Sequence, residues 1–376
     1  MSLLALCLCQ LAAICAYEMG TPFIPALLAS MGVSETGALM RWTGWADAAA
    51  LGLGLFSTPF WARLGDARGR KLMLLRAHLG LGAALFAVSL ARTPLEVVLA
   101  RALQGALAGV TAATLAAVSE EERASSRMGW VQSSCLAGAF IGPFLGALVL
   151  RFAAPAAVFR AGAVLCLLSL LATALFVGEP ARKAAEVAEP LPPARGFGAA
   201  GALAAWIFAW RALEDPVLPV YARQLAGESS WALWMAVILG ASRLTAMLSA
   251  PAWGRWADRL GPERVLRAAV CGTAALTLAQ LLARGPLELA LVRAALGLFA
   301  GAIATCVYAE AVGRVPGRRR GEAVALAVTG GRLGDCVGSA GGGVLAAAAG
   351  VPGLFAAMGA GLLSSLLLIR RPPETA

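Results

Sequence analysis

Lysine and histidine are almost missing from this chain: Lys71, Lys183 and His78 are all it has. Charged residues of every kind reach only 14%, against about a quarter in soluble domains. Neither lysine lies in a glycine-rich phosphate loop, so nucleotide-driven chemistry has no anchor. The single histidine has no Ser or Cys with an acid patterned around it, and no cysteine at metal-site spacing. The sequence therefore predicts no enzyme, no metal and no cofactor. Long polar stretches are also lacking, apart from one Pro-rich segment over 178–197, which leaves no room for a soluble domain. The eight cysteines all fall within apolar runs and read as small packing residues.

What is present is apolar. The chain is 60% hydrophobic with a mean hydropathy of +0.77, and runs near 20 residues are long enough to span a bilayer as helices. Twelve such runs are expected, at roughly 3–27, 42–61, 72–91, 95–118, 130–150, 155–177, 198–221, 231–253, 265–283, 287–311, 322–346 and 350–369. Continuous rather than alternating hydrophobicity excludes a β-barrel. The first run has no basic leader and contains Glu18, so it is taken as a span rather than a signal peptide.

The net charge of +10 suggests nucleic acid until its placement is considered. Basic residues collect in the even-numbered connections, for example Arg63, Arg68, Arg70, Lys71, Arg182, Lys183, Arg255, Arg259, Arg318 and Arg319, and in the tail at Arg370 and Arg371. Odd connections hold only Arg41, Arg92, Arg151, Arg223 and Arg284. The positive-inside rule then predicts cytoplasmic termini and even loops, with membrane lipid rather than nucleic acid as the partner of the basic loops.

One charged phrase occurs twice, 192 residues apart: Ala62-Arg63-Leu64-Gly65-Asp66-Ala67-Arg68-Gly69-Arg70-Lys71, and Gly254-Arg255-Trp256-Ala257-Asp258-Arg259-Leu260-Gly261. The offset persists downstream. Arg101, Gly105 and Gly109 fall on Arg293, Gly297 and Gly301, and Gly138, Gly142 and Gly146 fall on Gly330, Gly334 and Gly338. Tandem membrane halves of this kind are how secondary transporters are built. The predicted organisation is a six-helix bundle over 1–177, a cytoplasmic linker over 178–197, a second six-helix bundle over 198–369 and a tail over 370–376. Basic loops alone would anchor topology; the repeated acids Asp66 and Asp258 add nothing to orientation and point to a conformational latch. Pro143, mid-span beside Gly138, Gly142 and Gly146, bends the fifth helix, and the glycines admit a close neighbour. In the second half Asp335 stands where Pro143 stands in the first.

These elements together resemble the major facilitator superfamily, in particular its twelve-span drug:proton antiporters. The loop pattern of that family is matched at 62–71, with Ala62 and Ala67 as departures, and again from Gly254. The fourth-span pattern is matched by Arg101, Gln104 and Gly105, the antiporter pattern by Gly138, Gly142, Pro143 and Gly146, and the first-span ending by Pro22 and Pro25. A finer likeness, to the MdtG-type group of multidrug transporters, rests on Gly69 to Ala77 and on Leu248-Ser249-Ala250-Pro251 followed by Gly261-Pro262-Glu263-Arg264. The resemblance implies an all-α membrane protein of twelve transmembrane helices in two pseudo-symmetric bundles. It also implies proton-coupled export of small amphipathic molecules, in the inner membrane and as a monomer. A dedicated exporter of one metabolite, such as a siderophore or antibiotic, is the nearest rival; a receptor or membrane enzyme is the distant one.

Ionisable residues inside spans mark candidate sites, because each costs about 2.5–3.5 kcal/mol at mid-bilayer. Arg211 with Glu214 or Asp215, and Arg332 with Asp335, stand at helical spacing and are expected to neutralise one another. Glu18 has no base within a turn, so a proton-coupling role is expected for it, with Arg101 as counter-charge and Asp215 and Asp335 next in line; a purely structural Glu18–Arg101 bridge is the alternative. Asp47, beside Trp42 and Trp45, is expected at the interface. The latch is expected to comprise Arg63, Asp66, Gly69 and Arg70, with Arg255, Asp258, Arg259 and Gly261. Tyr17, Phe140, Trp206, Trp210 and Trp234 are candidates for lining a cavity.

Overall fold

In the computed structural model, residues 2–107, 109–119, 124–178, 197–313 and 320–369 are described; the expected linker over 179–196 and the tail at 370–376 lie outside them. The described residues are helices and short turns. Among the described residues, nine segments are long and apolar enough to cross a membrane by themselves. One of these, Val324–Leu367, contains the last two expected spans. The second and seventh spans complete the twelve. The second fails on hydropathy because its helix carries Arg41, Asp47, Arg63 and Asp66, and the seventh because its helix is 16 residues long.

The chain divides into two compact units, the first made of Met1–Ser34 and Ala49–Glu189, the second of Glu35–Ala48 and Pro190–Ala376. In the first unit, α1 (Leu3–Gly20) leads through a 3-10 turn at Thr21–Phe23 into α2 (Ile24–Ser30), because Pro22 and Pro25 withhold backbone donors where the helix would continue. The helix α3 (Thr36–Arg68) gives its residues from 49 onward to this unit. Then come α4 (Arg70–Leu90), α5 (Pro94–Leu107), α6 (Val110–Ser119), α7 (Ala124–Phe152) and α8 (Pro155–Phe176). The second unit holds α9 (Phe197–Ala212), α10 (Leu218–Ala226), α11 (Trp231–Leu260), α12 (Pro262–Ala279), α13 (Pro286–Gly313) and α14 (Arg320–Ser364). α14 comprises two spans meeting at Gly350, its one non-helical residue.

Glycine ladders set the closest helix pairs. In the first unit Gly138, Gly142 and Gly146 of α7 face the carbonyls of Leu11, Cys15 and Met19 on α1. In the second unit Gly330, Gly334 and Gly338 of α14 face the carbonyls of Gly201, Ala205 and Ala209 on α9, and Gly342 faces that of Leu213 just past its end. Helices in hydrocarbon gain little from hydrophobicity against one another, so close backbone packing becomes the main attraction.

The 192-residue offset is visible in individual bonds. Trp61 Nε1 donates to the Ala106 carbonyl at 2.7 Å, and Trp253 Nε1 donates to the Leu298 carbonyl at 2.5 Å. Ser57 donates to the Gly105 carbonyl at 3.0 Å, and its counterpart Ser249 donates one residue further along, to Leu298, at 2.9 Å. Gly105 packs on the Ala50 carbonyl, and Gly297 on that of Ser242. The two loop glycines also agree, with φ of 103° at Gly69 and 88° at Gly261. That conformation is open to glycine and strained for other residues, which explains why the repeated phrase ends on glycine.

A methyl at Gly334 would strike the Ala205 carbonyl, whereas one at Gly54 would rest 3.7 Å from the Gly105 carbonyl. Gly334→Ala should therefore lower stability by about 1–3 kcal/mol, and Gly54→Ala should be neutral or stabilising. Thermal unfolding of the purified variants in detergent measures both.

Candidate functional site

The second unit contains a charged cluster built around the turn at residues 213–217. α9 ends at Ala212, because Pro216 and Pro219 cannot continue its hydrogen bonding. Glu214 and Asp215 are consequently placed on a turn and do not stack one helical turn above Arg211. The expected pairing of Arg211 with Glu214 or Asp215 is therefore corrected. Glu214, 5% exposed, pairs with Arg293 of α13, itself 7% exposed, and accepts a bond from Gln280 Nε2 at 3.2 Å. Gln280 is fully buried, and its carbonyl takes the Tyr221 hydroxyl at 3.2 Å. A buried carboxylate with a guanidinium and an amide donor meets the requirement that buried charge be paired and hydrogen-bonded.

Arg211 instead reaches across to Asp335 of α14 at 3.6 Å. This pair is looser and wetter than the first, with side chains 40% and 23% exposed. Arg332 and Tyr308 share the electrostatic surroundings of Asp335, so the expected Arg332–Asp335 proximity is present but the ion pair goes to Arg211. Asp215 is exposed, and Arg211, Glu214, Asp335 and Asp47 all act on it. Asp47 is 7% exposed, which corrects its expected interfacial position. Its helix face explains why: Leu39, Met40, Thr43, Ala46 and Ala50 are buried at the same helical spacing. The sequence reading also missed Glu310, 2% exposed near the end of α13. It lies at the margin of an expected apolar run, and its presence there was the available signal.

In the first unit, Arg101 is 1% exposed. It donates to Gln104 Oε1 at 2.6 Å and lies 5.3 Å from the centre of the Tyr17 ring. Two residues of the fourth-span pattern are thereby in direct contact, and the third, Gly105, packs on α3. Tyr17 immediately precedes Glu18, which is half-buried and lies where its Cβ faces Gly142. The fifth-span glycines therefore meet the stretch of α1 that carries Glu18. About two turns earlier on α1, buried Gln10 donates to Thr111 at 2.7 Å and accepts from Thr114 at 2.8 Å. His78, 1% exposed, has its Nδ1 2.8 Å from the Leu74 carbonyl, a structural role.

The repeated loops are partly visible. The side chain of Asp66 is outside the described ones. Arg63 is exposed, as are Arg255, Asp258 and Arg259, and Arg255 bonds back to the Pro251 carbonyl at 3.3 Å. Arg70, half-buried, lines a small cavity with Trp61, Met73 and Arg76. Arg76 stacks 3.8 Å over Trp61 and donates to the Leu107 carbonyl at 2.6 Å. Of the aromatic candidates, Trp206 is exposed and bonds to Ser364 at 2.9 Å, and Trp210 packs against Gly361.

The family model described as Major Facilitator Superfamily matches residues 6–242 and 212–376. The chain is 29% identical over 319 residues to Multidrug resistance protein MdtG of Enterobacter lignolyticus (strain SCF1), covering 81% of this chain and 76% of that one. It is 29% identical over 304 residues to MdtG of Salmonella typhimurium, covering 78% and 75%. Among solved structures, the human organic anion transporter MFSD10 superposes with a TM-score of 0.71 at 17% identity, and the nucleoside transporter NupG with 0.80 at 13%. Both alignments cover 98% of each chain, and at such identity they show the fold alone.

The buried pair yields a stability prediction. Glu214→Ala leaves Arg293 charged and buried, and should cost about 3–5 kcal/mol. Glu214→Gln combined with Arg293→Gln removes both charges and should restore much of that loss. Thermal melting of the single and double variants is the measurement.

Proposed function

The chain belongs to the Major Facilitator Superfamily, and on that premise we propose that it exports small amphipathic compounds, drugs among them, in exchange for protons by alternating access. The printed names of its MdtG relatives supply the drug class. The observation that carries the reading is the Arg211–Asp335 pair: a carboxylate and a base inside apolar spans, 3.6 Å apart and partly open. A pair of that kind can exchange its partner for a proton or a substrate at modest cost, whereas the closed Glu214–Arg293 pair suits a structural role.

In this proposal Glu18 carries a coupling proton and Arg101 adjusts its charge, with Asp215 and Asp335 as the corresponding groups of the second unit. The loops at Asp66 and Asp258, with Arg63, Gly69, Arg70, Arg255, Arg259 and Gly261, latch one side. Gly142 and Pro143 shape the fifth span against α1. The protein works as a monomer in the inner membrane with both termini in the cytoplasm, an orientation supported by the placement of its arginines.

Accumulation of a panel of drugs in a pump-deficient host should fall when the protein is expressed, and a protonophore should abolish the difference. A difference that survives the protonophore would rule out proton coupling. Glu18→Gln imitates the protonated form permanently, so proton release on adding substrate to purified protein in weak buffer should drop to background while substrate binding persists. Arg101→Lys keeps the charge but loses the planar fork, and should still damage transport. Asp66→Asn should insert normally, since it removes neither positive charge nor apolar surface, yet flux should fall as the balance of states shifts. Normal flux at normal expression would leave the loop as a topological anchor.

A further inference from the structure

Arg160 sits in α8, five residues from its start, with apolar residues around it and its side chain exposed. No carboxylate or carbonyl among the described residues pairs with it. Within a membrane-spanning helix, an exposed guanidinium faces lipid, and five residues of helix put its Cα only about 8 Å from the helix end. An arginine there must direct its charge to an anion at headgroup level or remain poorly solvated.

The same arginine lies on a groove between α4 and α8 of about 480 Å³. Its walls are Leu79, Ala83 and Phe86 of α4 and Val164, Leu167 and Leu170 of α8. Four of these, Leu79, Phe86, Val164 and Leu167, are at least half exposed, so the groove opens sideways. Gly82 brings the two helices together at its floor, where an added methyl would lie 3.2 Å from Cys166. From Arg160 to Leu170 the groove runs ten residues, about 15 Å. That is half of a hydrocarbon core about 30 Å thick, the depth of one leaflet.

We propose that this groove is a binding site for an anionic phospholipid of the phosphatidylglycerol class, its phosphate on Arg160 and one acyl chain between α4 and α8. The charge selects the headgroup. A guanidinium binds a phosphate by paired, charge-assisted bonds. A phosphatidylethanolamine would bring an ammonium to the same spot, where none of the groove's lining residues is a carboxylate to receive it.

Native mass spectrometry of the full-length protein, titrated with phosphatidylglycerol or phosphatidylethanolamine, tests the site. Wild type should retain phosphatidylglycerol in preference. Arg160→Gln should weaken its retention about tenfold, the effect of losing one charge-assisted contact, and Arg160→Lys should keep part of it. Removing an unpaired charge from a span eases insertion, so Arg160→Gln should remain folded. Val164→Trp fills the groove with Arg160 intact and should also lose the lipid, which separates an acyl-chain site from a bare charge. Equal retention by wild type and Arg160→Gln would overturn the proposal, as would equal retention of the two lipids or unchanged binding in Val164→Trp.

Discussion

A backbone donor or acceptor inside a hydrocarbon layer has no water to turn to, so it must find its partner within the protein. Much of the structure follows from that requirement. Where α5 and α9 end, side chains gather at the helix terminus. The carbonyls of Ala106 and Leu107, at the end of α5, are taken by Trp61 and Arg76. Glu214, on the turn that follows α9, is taken by Arg293 and Gln280. The breaks that interrupt the spans are thus the places where the side chains with chemistry are concentrated.

Glycine provides the complementary half of the arrangement. With side chains removed along one face of α7 and of α14, two helix backbones in each unit lie in direct contact. The sequence separation of the ladders reproduces that of the charged loops, so the repeat extends from loop to mid-span. The halves differ where Pro143 of one corresponds to Asp335 of the other. In the first unit this position is a proline inside α7, and in the second it is an acid paired with Arg211. A shared backbone plan therefore carries unequal chemistry.

The number of spans, the repeat and the loop glycines were legible in the sequence because each is a local pattern: a run of apolar residues, a fixed offset, a residue that tolerates positive φ. Partners of buried charges were not. Spacing placed Arg211 one turn from Glu214, but that inference assumed an unbroken helix, and Pro216 ends it. Asp47 was read from its tryptophan neighbours in sequence, while the face it shares with Thr43 and Ala50 decided its burial. Glu310 escaped notice because a lone acid at the margin of a span resembles a loop residue until its surroundings are known.

The fourth span and its repeat counterpart differ in mechanical character. The first carries Gly109 with a φ of 97° ahead of α6, whereas α13 runs helical for 28 residues, about 42 Å of continuous rod. A rod carries a displacement from one end to the other, and a jointed pair absorbs it at the joint. Any movement that begins at the loop end of α13 is delivered to Arg293 and hence to the carboxylate it holds. The same movement at α6 meets Gly109 before it reaches Arg101. Although built from a repeated sequence, the two halves are a stiff lever and a compliant one.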